Sequence, residues 1–190
     1  MKTIEIKGSK RTELTKQSIK ALRDNEQVPC VLYGNTEPVH FSAALADFKG
    51  LVYTPDVHMV NLNVEGKEYL CIMQDIQFHP VTDIIQHVDF LAVEASKPVT
   101  INIPVKLTGT SEGVKQGGKL VTKVRRLKVK ALAADLPDYV TVDISPLNIG
   151  GNIRVRDLNV NGVTFLDSPS NVIVGVRMTR NVVAAEGDKK

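Results

Sequence analysis

Between residues 57 and 93, polar and apolar residues alternate in successive runs, the pattern of strands with one wet and one buried face. Val57 to Val64 and Lys67 to Ile76 are separated only by Glu65-Gly66, which predicts a tight hairpin. Ile85 to Val93 predicts a further strand, in which Gln86, Val88 and Phe90 share one face and His87 and Asp89 share the other. Upstream, Thr3 to Lys7 predicts a short strand ending in a turn at Gly8-Ser9, and Val28 to Gly34 an apolar strand stopped by glycine. Ser18 to Arg23 predicts a short helix with Ile19 and Leu22 inward, and Ser42 is placed to cap a second helix carrying Ala43, Ala44, Leu45, Phe48 and Leu51. Strands without regular strand–helix alternation predict a mainly β (α+β) chain whose first domain, residues 1–92, is a small antiparallel barrel with short helices.

Glu94-Ala95-Ser96-Lys97-Pro98 is a short polar link containing proline, placed where a domain boundary falls. Beyond it, strand-like runs at 99–107, 127–132, 140–144, 152–155 and 172–178 are punctuated by glycine and proline, which predicts a second, mostly β domain over 93–183. Residues 184–190 are small and charged and are expected to form a disordered tail.

Charge sharpens this division. Residues 1–92 hold nine Lys and Arg against twelve Asp and Glu, a balance of −3, and residues 93–190 hold fifteen against nine, a balance of +6. Inside the acidic half, Lys2, Lys7, Lys10, Arg11, Lys16, Lys20 and Arg23 face only Glu5 and Glu13 before position 24, a local excess of +5. Such a patch suits a phosphate backbone, whose counterions it displaces. The start of the chain alternates polar with apolar residues and lacks the apolar core of a signal peptide, and no run approaches membrane-spanning length, so a cytoplasmic protein without membrane partners is expected. Cys30 and Cys71 lie far apart in apolar runs, outside any C-x-x-C pair, and read as buried free thiols.

Three pieces of apparent chemistry weaken on inspection. Gly113-Val114-Lys115-Gln116-Gly117-Gly118-Lys119 has phosphate-loop spacing, but Leu120 supplies no hydroxyl for Mg²⁺, and the alternation of Leu127, Val129 and Ala131 predicts strand downstream where a helix is needed. A glycine loop between two strands is the simpler reading. His87 with Asp89 resembles part of a catalytic dyad, yet no nucleophile is marked beside it. Cys30, Cys71, His79 and His87 lack the spacing of zinc-ligand pairs. No catalytic residue, metal, cofactor or small-molecule substrate is therefore expected, and an RNA- or nucleotide-acting enzyme built on His87 and Asp89 or on residues 113–119 stands as the alternative.

Binding motifs remain. Arg11, Lys16, Lys20-Ala21-Leu22-Arg23, Val28-Pro29-Cys30-Val31-Leu32-Tyr33-Gly34, Gln74-Asp75-Ile76-Gln77-Phe78-His79-Pro80 and Gln86-His87-Val88-Asp89-Phe90 resemble, in order, the motifs of the bacterial large-subunit ribosomal protein L-twenty-five family. Ile103-Pro104-Val105, Gly109, Gly113-Val114-Lys115, Gly117-Gly118, Val142-Asp143-Ile144 and Leu147-Asn148-Ile149-Gly150 resemble the added domain of its long general-stress (CTC) form. The resemblance implies a structural ribosomal protein, ribosome-associated, whose N-terminal barrel docks on the loop E region of 5S rRNA. It further implies that Arg11, Lys16, Lys20, Arg23 and Tyr33 contact phosphates and sugars, and that Gln74, Gln77, His87 and Asp89 reach base edges. Ala21, Asp24 and Phe78 stand where the family often carries arginine, which implies a weaker or shifted phosphate grip. For 5S recognition, the basic run Lys115, Lys119, Lys123, Arg125, Arg126, Lys128 and Lys130 reads as the exposed face of a strand plus a loop, with contact to neighbouring rRNA or ribosomal proteins the other possibility.

Overall fold

A computed structural model describes residues 2–34, 37–94 and 96–179. The expected tail at 184–190 lies outside the described residues. The chain divides into two compact units, the first running to Val99 and taking in Leu132–Ala134, the second made of Thr100–Ala131 and the chain from Asp135.

The first unit contains β1 (Lys2–Lys10), α1 (Lys16–Asp24), β2 (Gln27–Tyr33), β3 (Val39–Ala44), a 3₁₀ turn at Leu45–Phe48 running into α2 (Lys49–Val52), β4 (His58–Val64), β5 (Lys67–Phe78) and β6 (Ile85–Ala92). Its six strands close into a barrel in the order β1-β3-β2-β6-β5-β4. Four ladders are antiparallel, while β1 with β4 and β2 with β6 run parallel, so the barrel closes through two seams between strands remote in sequence. Alternate residues of each strand fill the interior: Ile6, Val28, Cys30, Phe41, Val60, Leu62, Cys71, Val88 and Phe90 are all buried. The Phe90 ring lies 5.8 Å from that of Phe41 and 6.4 Å from that of Phe48, tilted against both, and each such pair adds roughly 0.5–1.5 kcal/mol beyond area burial.

The hairpin forms at the expected place. Glu65 and Gly66 both have positive φ, 50° and 83°, as a type I′ turn requires, and Asn63 Oδ1 accepts from the Gly66 N–H. Helix α1 begins two residues before the expected start, because Thr15 caps it by accepting from the Ser18 N–H, and Ile19 and Leu22 are half-buried.

Three expectations are corrected. The turn at Gly8-Ser9 is absent: β1 continues to Lys10, and Gly8 is required because a Cβ there would stand 2.6 Å from the Phe41 ring. Ser42 caps no helix; it lies in β3, paired with Ser9 on one side and Pro29 on the other, and its hydroxyl bonds Gln27. Of that apolar set, Leu45, Phe48 and Leu51 lie in helical turns, with Phe48 and Leu51 buried, while Ala43 and Ala44 belong to β3. Finally, Gln86 does not share the inner face with Val88. The ladder slips between Gln77 and Phe78, so Ile85 takes the inner position.

The second unit carries β7 (Val99–Thr108), α3 (Glu112–Lys115), β8 (Lys119–Thr122), β9 (Arg126–Ala131), β10 (Val140–Asp143), β11 (Asn152–Arg154), β12 (Val163–Phe165) and β13 (Val172–Arg177). They form a four-stranded sheet, β10-β7-β9-β12, and a three-stranded sheet, β11-β13-β8. The segment with phosphate-loop spacing is one helical turn leading into β8, whereas a plain loop was expected. Its glycines serve packing: a Cβ on Gly113 would meet the Ile149 nitrogen at 2.6 Å, and one on Gly118 the Val176 side chain at 2.5 Å.

Candidate nucleic-acid interface

Residues of β6 divide between core and surface as their alternation demands. Val88 and Phe90 are fully buried, while His87 and Asp89 each remain about 30% exposed on the outer wall. His87 Nδ1 lies 2.7 Å from Asp89 Oδ1. The carboxylate thus selects the ring form protonated at Nδ1 and leaves Nε2 as the acceptor of the neutral ring.

Neighbouring strands extend this surface. Asp89 stands opposite Val31 of β2 and Asp75 of β5, and His87 stands opposite Gln77. Between Met73 and Asp75 the ladder skips a residue, so Gln74 and Asp75 together face Asp89. Such a bulge turns an additional side chain out of the wall, and both Gln74 and Asp75 are exposed. Tyr33 ends β2, and its hydroxyl is held above the ordinary tyrosine range by partial burial, then by the charges of Asp89 and Asp75. It therefore stays protonated and able to donate at neutral pH.

Following the register the other way leads to Arg11. Val31 pairs with His40 of β3, and the Arg11 N–H donates to the His40 carbonyl at 2.9 Å, one step beyond the Lys10–Phe41 pair that ends β1. One level of the barrel wall therefore reads Arg11, His40, Val31, Asp89, Asp75. Arg11 and Asp89 are three strand spacings apart, about 14 Å along the wall. Arg11 Nε is buried and has no hydrogen-bond acceptor among the described residues, and its Nη2 only reaches the Glu13 carbonyl at 3.5 Å. This cation is held in place with hydrogen-bonding capacity to spare.

The remaining cations are distributed differently. Lys16 and Lys20 are exposed on α1. Arg23 is engaged within the protein: its Nε and Nη2 donate to the Gln86 carbonyl at 3.3 and 3.0 Å, tying α1 to the start of β6. Beside this tie opens a cleft of about 420 Å³ lined by Lys20, Arg23, Asp24, His79 and Gln86 among others. Tyr33, Gln74, Gln77, His87 and Asp89 thus come together on one wall, with Arg11 at its far edge and the α1 cations near the His87 end. His40 and Asp75 join this surface, although no spacing within either strand marks them; only the cross-strand register does.

The residues of the discarded zinc reading point in different directions. Cys30 and Cys71 are buried inside the barrel as free thiols, while His87 is on its outer wall and His79 turns its Nδ1 to accept from the Val81 and Thr82 N–H groups. Burial pushes both thiols up, Cys71 to about 12. Among the described residues, no three metal-ligating side chains cluster and no helix is long and apolar enough to cross a membrane.

A closed six-stranded barrel with a polar outer wall, followed by a separate β unit, defines a two-domain β protein. Residues 6–90 match the Ribosomal L25p family, and residues 98–180 match the C-terminal domain of ribosomal protein TL5. The chain is 47% identical over 188 residues to the large ribosomal subunit protein bL25 of Christiangramia forsetii, covering 98% of this chain and 86% of that one. It is 44% identical to the bL25 proteins of Phocaeicola vulgatus, over 95% of this chain and 94% of the relative, and of Porphyromonas gingivalis, over 95% of each. The chain belongs to the ribosomal L25p family, in its long two-domain form. It is a structural ribosomal protein and not an enzyme.

Proposed function

We propose that this protein is a component of the large ribosomal subunit that binds 5S rRNA, at its loop E region, through the outer wall of the N-terminal domain, residues 1–92. The observation that carries this reading is the single wall level running from Arg11 through His40 and Val31 to Asp89 and Asp75. Its cationic end suits phosphate, which Arg11 meets with a multi-donor guanidinium. The acidic end repels phosphate and suits the donors of base edges and 2′-hydroxyls, so Asp89 orients a groove edge toward the wall. His87, Gln74 and Gln77 add donors and acceptors to the same groove, and the Tyr33 hydroxyl donates to phosphate or ribose. Lys16 and Lys20 extend the phosphate track along α1. Arg23 holds α1 against β6, and its Nη1, which no hydrogen bond above uses, is the group that reaches the backbone.

The C-terminal domain, residues 93–183, is a separate β unit in this reading, and the protein works in the cytoplasm on the ribosome. Incubating the purified full chain with total bacterial RNA and identifying what is retained tests the proposal. Selective retention of 5S rRNA is the expected result, and retention of other RNA with 5S rRNA left in solution would overturn it.

A further inference from the structure

We infer that the outer face of the four-stranded sheet in the second unit is an independent phosphate-backbone surface, which grips a second stretch of RNA through Arg126, Lys128 and Lys130. Strand β9 alternates strictly: Leu127, Val129 and Ala131 are buried, and Arg126, Lys128 and Lys130 between them are exposed. The three cations therefore form a straight row at about 7 Å intervals, fixed by the strand repeat. Long side chains on a loop would be free to scatter, whereas these three stand on a strand held to the sheet by the buried side chains of Leu127, Val129 and Ala131.

The neighbours on that face leave the charge available. Thr164 of β12 stands opposite Lys130, and Leu166 follows beside Lys128, its N–H bonded to the Lys128 carbonyl. Asp167 accepts from the Lys128 backbone N–H at 2.7 Å. Among the described residues, Arg126, Lys128 and Lys130 form no ion pair. Lys123 and Arg125, exposed in the approach to β9, add two cations at one end of the row.

Nucleic acid fits this surface better than an acidic protein does. Protein interfaces are organised around a central cluster of apolar or aromatic anchors, whereas this row has Leu166 beside it and Leu132 just past its end, two separate leucines at its margin. An evenly spaced line of cations instead complements the repeating charge of a phosphodiester chain and reads no sequence. The surface belongs to the second unit and shares no residue with the barrel wall assigned to 5S rRNA, so it does not depend on that assignment.

The test uses the full chain and a plain A-form RNA duplex that lacks loop E. Binding is followed by fluorescence anisotropy across a salt series for the unaltered protein, for R126Q/K128Q/K130Q, and for R11A. The triple variant is expected to bind the duplex at least tenfold more weakly and to lower the slope of log affinity against log salt by about 2 to 3, one phosphate contact per side chain. The Arg11→Ala protein, altered on the barrel wall with the row intact, is expected to lose less duplex affinity than the triple variant, and an equal or greater loss would overturn the inference. An unchanged slope and affinity in the triple variant would overturn the inference. So would loss of polyglutamate binding in that variant with duplex binding intact, which assigns the row to acidic proteins. Unaltered circular dichroism in the triple variant, expected for three exposed side chains, separates loss of binding from loss of fold.

Discussion

Asp89 stands directly across the β5–β6 ladder from Asp75, two carboxylates side by side on an outer wall that also carries Tyr33 and His87. Like charges in this position destabilise an isolated sheet. The protein tolerates them here in a wall whose proposed work is to accept hydrogen bonds from RNA. Asp75→Asn is accordingly expected to raise the unfolding free energy slightly, by up to ~0.5 kcal/mol, in a denaturant titration. If like charge is the cause, the gain shrinks as salt is added.

Gly8 has a structural reason of a different kind. A Cβ at this position would run into the Phe41 ring, which lies at the centre of the barrel core. Gly8→Val is expected to lower unfolding free energy by about 1–3 kcal/mol, the usual cost of overpacking. Urea melts of the two proteins check it, with a shift in midpoint and no change in slope.

The hairpin tip offers a gain instead. Glu65 occupies a left-handed conformation at φ 50°, where asparagine is favoured and glutamate is not. Glu65→Asn should stabilise the protein by a few tenths to about 1 kcal/mol, measured in the same melts.

The two thiols give a pH dependence. Cys71 titrates near 12 in the folded barrel because it is buried, and near the ordinary thiol range when the chain unfolds. Above pH ~9 the unfolded chain therefore holds fewer protons than the folded one. Stability present below that pH is lost progressively as pH rises toward 12. Cys71→Ser removes that part of the alkaline loss. Thiol reagents are expected to label neither cysteine until the chain is unfolded, which a labelling time course with and without urea reads directly.

From His87 to Phe90 the inner and outer faces of β6 were legible because Val88 and Phe90 are strongly apolar and His87 and Asp89 are not, whereas the slip that turns Gln86 out and Ile85 in left no local mark. The hairpin was legible because Glu65-Gly66 is a local signal. Residues 42–44 were not, since Ala43 and Ala44 fit the start of a helical stripe and a strand equally well, while the helical turns expected further on do form at Leu45–Phe48 and Lys49–Val52. Pairing of β3 with both β1 and β2 decides the matter, and that is long-range information. The same limit hid His40 and Asp75. Neither is conspicuous in its own segment, and only the parallel β2–β6 seam and the Gln74 bulge bring them level with Asp89. Strand β12 is three residues long, too short to show a period.

Residues 1–92 contain all six barrel strands. A fragment ending there is expected to bind a loop E RNA within about threefold of the full chain and to prefer it to a plain RNA duplex, a preference that 93–190 lacks; competition of the two RNAs for each fragment provides the comparison.

The most direct measurement is a salt series of loop E binding by the unaltered chain, Arg11→Ala and Asp89→Ala. Loss of a phosphate contact in Arg11→Ala should weaken binding and lower the salt slope by about 1. Loss of a base-edge acceptor in Asp89→Ala should weaken binding by roughly 1–3 kcal/mol with the slope unchanged. Equal affinities for all three proteins would contradict the placement of 5S rRNA on this wall.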